Sequence, residues 1–330
     1  MSDQNELAVL GIGNAIVDVL AEADDAFLEA EGILKGNMQL IDTTRAESLY
    51  AGMAPAVEMS GGSAANTMAG VASLGGRCAF IGKVADDQLG QVFAHDIRAI
   101  GVRYATPPRS GGEPTARCLI LITPDAQRSM NTFLGVSSTL ELADIEPDLV
   151  RAAQVTYLEG YLFDLPEAKT AFFEAARIAH GAGRRVALTL SDAFCVERHH
   201  AAFTELVRET DILFANEAEA LALTGESSYE AAVAVLAARC PMVCVTHGAN
   251  GSVIAADGAI HRIPAAPVDR VVDTTGAGDL YAAGVLYGLT VGHDLPTAGW
   301  YGSVAAAEAI SHVGPRPQQS LAELVKRSRG

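Results

Sequence analysis

Asp273-Thr274-Thr275-Gly276-Ala277-Gly278-Asp279, running straight into the apolar segment Leu280 to Leu289, is the stretch on which the fold turns. Two glycines and an alanine at a helix start present bare backbone N–H groups, and those orphan donors with the helix dipole favour an anion such as phosphate. Asp279 would then lie beside that anion. A carboxylate there repels a phosphate unless it has a task, and taking a proton from an attacking hydroxyl is such a task. The plainer alternative is an ordinary helix N-terminus, with Asp273 capping and the glycines turning the chain.

Upstream of that stretch, strands alternate with helices. Val155 to Leu158, Arg185 to Leu190, Ile212 to Ala215 and Met242 to Thr246 read as strands. Pro166 to Ala179, His199 to Arg208, Glu217 to Leu223 and Tyr229 to Ala238 read as the helices between and after them, with a hairpin-like Ser252 to Ile263 beyond. Helices at Gly278 to Leu289 and Thr297 to Ile310 complete the series. Nearer the start, Leu7 to Ile12 opens the fold as a strand, and Ser63 is placed to cap a helix to Leu74 before a strand at Cys78 to Val84. The expected class is α/β, a central mostly parallel sheet flanked by helices, with ligands outside the carboxyl ends of the strands.

Two segments break the rhythm. Residues 14–46 and 103–137, the latter with a hairpin of Ala116 to Thr123 and Arg128 to Leu134, are expected to form a small β-sheet lid. The large domain is then 1–13, 47–102 and 138–330. A lid suits a phosphoryl-transfer site because closure excludes the water that would otherwise take the phosphate.

Composition narrows the function. A formal charge of −17, from 40 acidic and 23 basic residues, argues against a protein that lives on nucleic acid or anionic membranes. It leaves room for an anionic substrate held by a few amides, an arginine and a metal ion. Five cysteines without a Cys-x-x-Cys pair suggest neither a zinc ribbon nor a disulfide scaffold. The opening Met1 to Glu6 is polar without a basic leader, and no apolar run is long enough to span a bilayer, so a cytoplasmic location is expected.

Other motifs carry different weights. A P-loop is missing, because the chain's Gly-Lys pair, Gly82-Lys83, is followed by Val84. Gly11-Ile12-Gly13-Asn14-Ala15-Ile16 imitates a dinucleotide fingerprint but has Ile16 for its third glycine and no evident helix behind it. His199-His200 lacks a spaced partner set for a metal. Thr246-His247-Gly248-Ala249-Asn250-Gly251 follows a strand and could turn its backbone against a phosphate or simply make a hairpin. Asn216 and Glu219 could bracket a hydrated Mg²⁺ or form a plain capping box. Asn14, Asp18, Gly61-Gly62 and Asn66 offer hydrogen-bonding groups and a side-chain-free surface suited to a polyhydroxylated ring. Asn66 in particular is costly to bury without a polar partner.

Gly61-Gly62-Ser63-Ala64-Ala65-Asn66 through Gly82 and Asp86-Asp87-x-x-Gly90 resembles the first signature of the ribokinase/PfkB carbohydrate kinase family, and Asp273 to Asp279 resembles its second. The resemblance covers essentially the whole chain. Within that family it is most similar to the branch that phosphorylates adenosine, through Gly13-Asn14-Ala15-Ile16-Val17-Asp18, Leu188 to Phe194 and Asp211 to Ala220. It implies a ribokinase-like fold and transfer of the γ-phosphoryl group of ATP to a nucleoside 5′-hydroxyl, or in the alternative to a free sugar. A non-catalytic nucleotide or sugar binder on the same fold, and a nicotinamide-dependent oxidoreductase favoured by Gly11-x-Gly13 alone, are the rivals outside that chemistry.

The resemblance also implies roles. Asp279 would be the base, with the amides of Gly276, Ala277 and Gly278 as the anion hole and Arg128 swinging toward the transferring phosphate. Asn14, Asp18, Gly61, Gly62, Ser63 and Asn66 would hold the sugar, while Leu134 covers the base and Leu162 falls where relatives carry a stacking aromatic. Thr246, Gly248 and Gly251 would line the ATP site, Asn216 and Glu219 the Mg²⁺ environment, and Asp273 with Thr275 a monovalent cation, commonly K⁺. A lid with a helix between its strands, Asp24 to Leu34, points to a monomer.

Overall fold

Parallel strands covered on both faces need near-continuous apolar runs, and the chain supplies them. The computed structural model describes residues 6–125 and 127–328, so most of the polar opening segment lies outside the described residues. Its first part runs β1 (Leu7–Ile12), β2 (Ile16–Glu22), α1 (Asp25–Ala30), β3 (Met38–Leu40), α2 (Thr43–Gly52), β4 (Val57–Gly61) and α3 (Ser63–Ser73). Next come β5 (Cys78–Ile81), α4 (Gln88–Ala99), β6 (Arg103–Tyr104), β7 (Ala116–Ile122), β8 (Arg128–Phe133), α5 (Pro147–Ala152) and β9 (Ala153–Glu159). Then follow α6 (Pro166–Gly181), β10 (Arg185–Thr189), α7 (Ala193–Arg198), α8 (His200–Leu206), β11 (Ile212–Asn216), α9 (Glu217–Thr224) and α10 (Tyr229–Ala237). The chain closes with β12 (Met242–Thr246), β13 (Ser252–Ala256), β14 (Ala259–Ile263), α11 (Ala277–Thr290), α12 (Leu295–Ala309) and α13 (Leu321–Arg327).

The large sheet has the order β14-β13-β12-β11-β10-β9-β1-β5-β6. It is parallel from β6 through β12 and antiparallel at β13 and β14. One core layer packs Phe163, Phe172 and Phe203 against the sheet with α6 and α8, and the other packs Met68, Val71, Ala283 and Leu286 of α3 and α11. All five cysteines are buried as thiols, and none is joined in a disulfide.

The second sheet has the order β3-β8-β7-β2-β4. Alternation sets its faces: Val17, Val19, Leu119 and Leu121 turn to the core with Leu28 and Leu49 of the lid helices, whereas Ile16, Leu20, Cys118 and Ile120 turn the other way. Period two therefore puts Asp18, between Val17 and Val19, on the cleft face. The sheet also corrects the domain boundary. β4 pairs antiparallel with β2, Val17 opposite Ser60, so the first lid segment continues to Gly61 instead of stopping at 46.

Three local expectations change. Ser63 is the first residue of α3 and does not cap it; Gly62 holds that place, with φ +98°, and makes no side-chain cap. Helix α11 is preceded by Gly276 at φ +77°, not capped by Asp273. The segment from His199 to Arg208 begins a helix only at His200, with α7 before it. Among the described residues no helix is long and apolar enough to cross a membrane.

Candidate active site

A cleft of about 890 Å³ lies between the lid's open face and the carboxyl ends of β9 to β12. Its size is that of a small-molecule site. Asp279, in the first turn of α11, accepts hydrogen bonds from Ser63 Oγ at 2.6 Å and Asn66 Nδ2 at 3.0 Å. The two donors come from one face of α3, where Ser63 and Asn66 stand three residues apart. Ser63 therefore spends its hydroxyl on the carboxylate. Asn66 lines the same cleft, and its Oδ1 is buried without a partner among the described residues, an acceptor left over.

Burial pushes the Asp279 carboxyl up, against the opposing pull of the Ser63 and Asn66 hydrogen bonds and of the Arg316 guanidinium. Burial likewise pushes Asp18 up to about 7, with Arg316 and Arg128 pulling it down. Asp18 packs its carboxylate against Gly61, where any side chain would collide with it. Gly62 has the same tightness for another reason, since a Cβ there would strike the Asn14 carbonyl. Asn14 is 1% exposed, with Nδ2 donating to Glu159 Oε1 at 2.8 Å and Oδ1 accepting from Ser137 Oγ at 2.9 Å.

The loop before α11 is held from two sides. Asp273 Oδ1 accepts from Thr275 N at 3.1 Å and Thr275 Oγ1 at 2.8 Å. Its Oδ2 accepts from Gly314 N at 3.0 Å and pairs with Arg128 Nη1 at 2.7 Å. Both oxygens are thus engaged, and Arg128 of the lid already supplies the positive charge. A monovalent cation does not fit Asp273 and Thr275 as they stand. Arg128 Nη2 has no partner among the described residues. Of the three expected anion-hole amides, Ala277 N turns back onto Thr274 O at 3.2 Å; among the described residues no acceptor engages the Gly276 or Gly278 amide.

On the far side of the cleft, Asn216 and Glu219 form a complete capping box on α9. Asn216 Nδ2 donates to Glu219 Oε1 at 2.6 Å, Asn216 N donates to Glu219 Oε2 at 3.0 Å, and Glu219 N donates to Asn216 Oδ1 at 2.9 Å. Both still line the cleft, and burial, with Asp192 and Asp279 nearby, pushes Glu219 up to about 7. The box engages both Glu219 oxygens, so the pair forms no direct ligand set; a hydrated Mg²⁺, which keeps its waters and takes few protein ligands, would meet it only through those waters. Thr246 lines the cleft, while Gly248 and Gly251 serve the turn before β13 with φ +53° and +85°.

Leu134 lines the cleft, but Leu162 does not. It is 2% exposed and belongs to the core beside Phe163, whereas its neighbour Tyr161 faces the cleft. A short 3₁₀ turn over Gly160–Asp164 decides which side chain faces out, and spacing alone does not reveal that phase. Phe194 is a second cleft aromatic, with the Arg198 guanidinium 4.8 Å from its ring centre. Sequence reasoning missed Glu159 and Arg316. Arg316 donates to Ser60 O at 2.7 Å and Ala65 O at 2.9 Å, and burial lowers it only to about 10, so it stays charged. A lone arginine in a polar tail carries no sequence signal for this.

The buried carboxylates give a pH prediction. Asp18, Glu159 and Glu219 are each pushed up to about 7, chiefly by burial. The folded state therefore holds protons that the unfolded chain releases at ordinary carboxylate values. Their stabilising contribution is full below those values and is lost as pH rises through about 7. The ligand-free protein should melt a few degrees higher near pH 6 than near pH 8, while kcat/KM falls over the same descent as the ionised forms disappear. Calorimetry and a pH–rate profile check both halves; a rate flat between those values would contradict the shifts.

A family model described as pfkB family carbohydrate kinase matches residues 37–321. The crystal structure of adenosine kinase from Sinorhizobium meliloti superposes with a TM-score of 0.91 at 53% identity, covering 98% of this chain and 99% of that one. The crystal structure of a probable sugar kinase protein from Rhizobium etli CFN 42 superposes with a TM-score of 0.92 at 49% identity and the same coverage. The adenosine kinase of Saccharomyces cerevisiae is 28% identical over 328 residues, 92% of this chain and 95% of the yeast protein.

Proposed function

We propose that this chain, which belongs to the pfkB family of carbohydrate kinases, transfers the γ-phosphoryl group of ATP to the 5′-hydroxyl of adenosine. It is a phosphotransferase with an alcohol acceptor. The observation that carries the adenosine reading is the lining of the cleft. Ile16, Leu40, Ile120, Met130 and Leu134 of the lid face a floor that carries Tyr161 and Phe194, an apolar slot suited to a planar base. A free sugar has no group to fill it.

Below that slot the polar groups divide the work. Asp18 and the unpartnered Asn66 Oδ1 accept ribose hydroxyls, and the acceptor's primary hydroxyl lies toward Asp279. Asp279 takes its proton as the oxygen–phosphorus bond forms and the bond from the γ-phosphorus to the departing ADP oxygen breaks, and Ser63 and Asn66 aim the carboxylate. The Gly276 and Gly278 amides and Arg128 Nη2 offer donors to the charge that develops on the transferring group. Thr246 and Asn216 line the ATP side. Asn216 and Glu219 would face a hydrated Mg²⁺, which would supply charge neutralisation to the nucleotide phosphates. The working form in this reading is a cytoplasmic monomer, the monomer being checked by light scattering.

A free-sugar kinase is the second reading, favoured by the Rhizobium etli relative at 49% identity. ATP consumption with adenosine, inosine, ribose and fructose separates the two. Adenosine should give the highest kcat/KM, and ribose or fructose ahead of both nucleosides would sink the adenosine assignment.

A further inference from the structure

The Glu159 carboxylate is 1% exposed at the carboxyl end of β9, its residue lines the cleft, and the steps above give it no role. Its Oε1 accepts from Asn14 Nδ2 and its Oε2 from Ala64 N, both at 2.8 Å. Space for it is provided by Gly13, where a Cβ would strike Oε2 and come within 2.7 Å of the Ala64 Cβ. Ala64 lies in the first turn of α3, whose own Gly62 offers no side-chain cap, so Glu159 caps that helix from another element. The same turn carries Ser63, and with Asn66 it holds Asp279. On its other side Asn14 Oδ1 shares the single hydroxyl proton of Ser137 with Leu134 O, at 2.9 and 2.6 Å.

These contacts coincide with the joints of the lid. The chain leaves the large domain at Gly13-Asn14, returns at Gly61 to Ala64, leaves again between β6 and β7, and returns at Leu134 to Ser137. Three of the four crossings meet Glu159, directly or through Asn14. We propose that Glu159 is a positioning residue that pins these three lid crossings to the helix that aims Asp279, so that lid and base are set by one buried carboxylate. The inference rests on the phosphotransferase reading and not on adenosine as the acceptor.

An exchange of carboxylate and amide tests it. Glu159→Gln leaves one acceptor for two donors, so an N–H faces an N–H. Asn14→Asp alone sets two carboxylates side by side. In the double variant the two groups trade places with net charge unchanged. The new amide at position 159 donates its N–H to the new carboxylate at position 14, and its oxygen accepts from Ala64 N. That carboxylate still accepts from Ser137. We expect Glu159→Gln to lower kcat/KM for the alcohol about tenfold or more, with KM for ATP unmoved, and the double variant to recover part of that loss. The acceptor is whichever alcohol the wild type phosphorylates, and melting temperatures of the four proteins are measured without substrate, so a wrong acceptor leaves the test intact. If Glu159→Gln proves too unstable to assay, recovery is read in melting temperature. The proposal is overturned if the single variant matches the wild type in kinetics, including the case where only its melting temperature drops, or if the double variant is no better than Glu159→Gln.

Discussion

Asp279→Asn should lower kcat by about 10²–10⁴-fold, the usual worth of a general base, while KM for the acceptor moves only a few-fold. The substitution keeps the shape of the side chain and removes its basicity. It also places an N–H where Asp279 accepted from Ser63 or Asn66. The new amide keeps its oxygen on Asn66 Nδ2 and turns its N–H to Ser63, whose hydroxyl rotates to accept. The pocket therefore absorbs the change without leaving a buried donor stranded, and the loss falls on chemistry. Steady-state kinetics together with calorimetric titration of the acceptor make the measurement; turnover near the wild-type value would remove Asp279 from the role of base.

Gly276→Val should be comparably damaging for a steric reason. Gly276 has φ +77°, a conformation that costs a residue with a side chain about 1–2 kcal/mol, and its added Cβ would lie 2.6 Å from Pro315 Cβ and 2.8 Å from Pro315 Cα. Pro315 has little freedom to retreat. Gly314 before it is tied to Asp273, and Arg316 after it is tied to Ser60 and Ala65. The loop must deform instead, which moves the Gly276 and Gly278 amides and the start of α11. A loss of kcat by at least about 10²-fold is expected, the size seen when one such donor is removed, together with a lower melting temperature. Gly278→Ala is the contrast for stability: beyond its own helix backbone and chain neighbours no atom lies within 4 Å of its added Cβ, so its melting temperature should stay near the wild-type value. A Gly276→Val protein that melts and turns over normally would show that the loop is not clamped by Pro315.

How much of this was legible beforehand depends on the range of the interaction. The alternation of strands and helices, the hairpin of β7 and β8 and the start of α11 near Gly276 follow from periodicity and turn residues, which are local. The lid boundary was misplaced because β4 is short and half exposed, and only its pairing with β2 assigns it to the second sheet. The choice between Tyr161 and Leu162 depended on the phase of a 3₁₀ turn. Glu159 and Arg316 left no local trace, since their partners lie 145 and 256 residues away at Asn14 and Ser60.

The sequence by itself determined the class of fold, the alternation of strands and helices after residue 150 and the glycine-rich helix start after Asp273, because backbone propensity, binary patterning and turn residues act over a few residues. The tertiary structure alone decided what those groups meet. Asp279 is aimed by Ser63 and Asn66, Asp273 is occupied by Arg128, and the Asn216–Glu219 pair closes on itself as a cap. Each outcome is a contest for hydrogen-bond partners in a buried space, and such a contest is settled only when distant segments have been brought together.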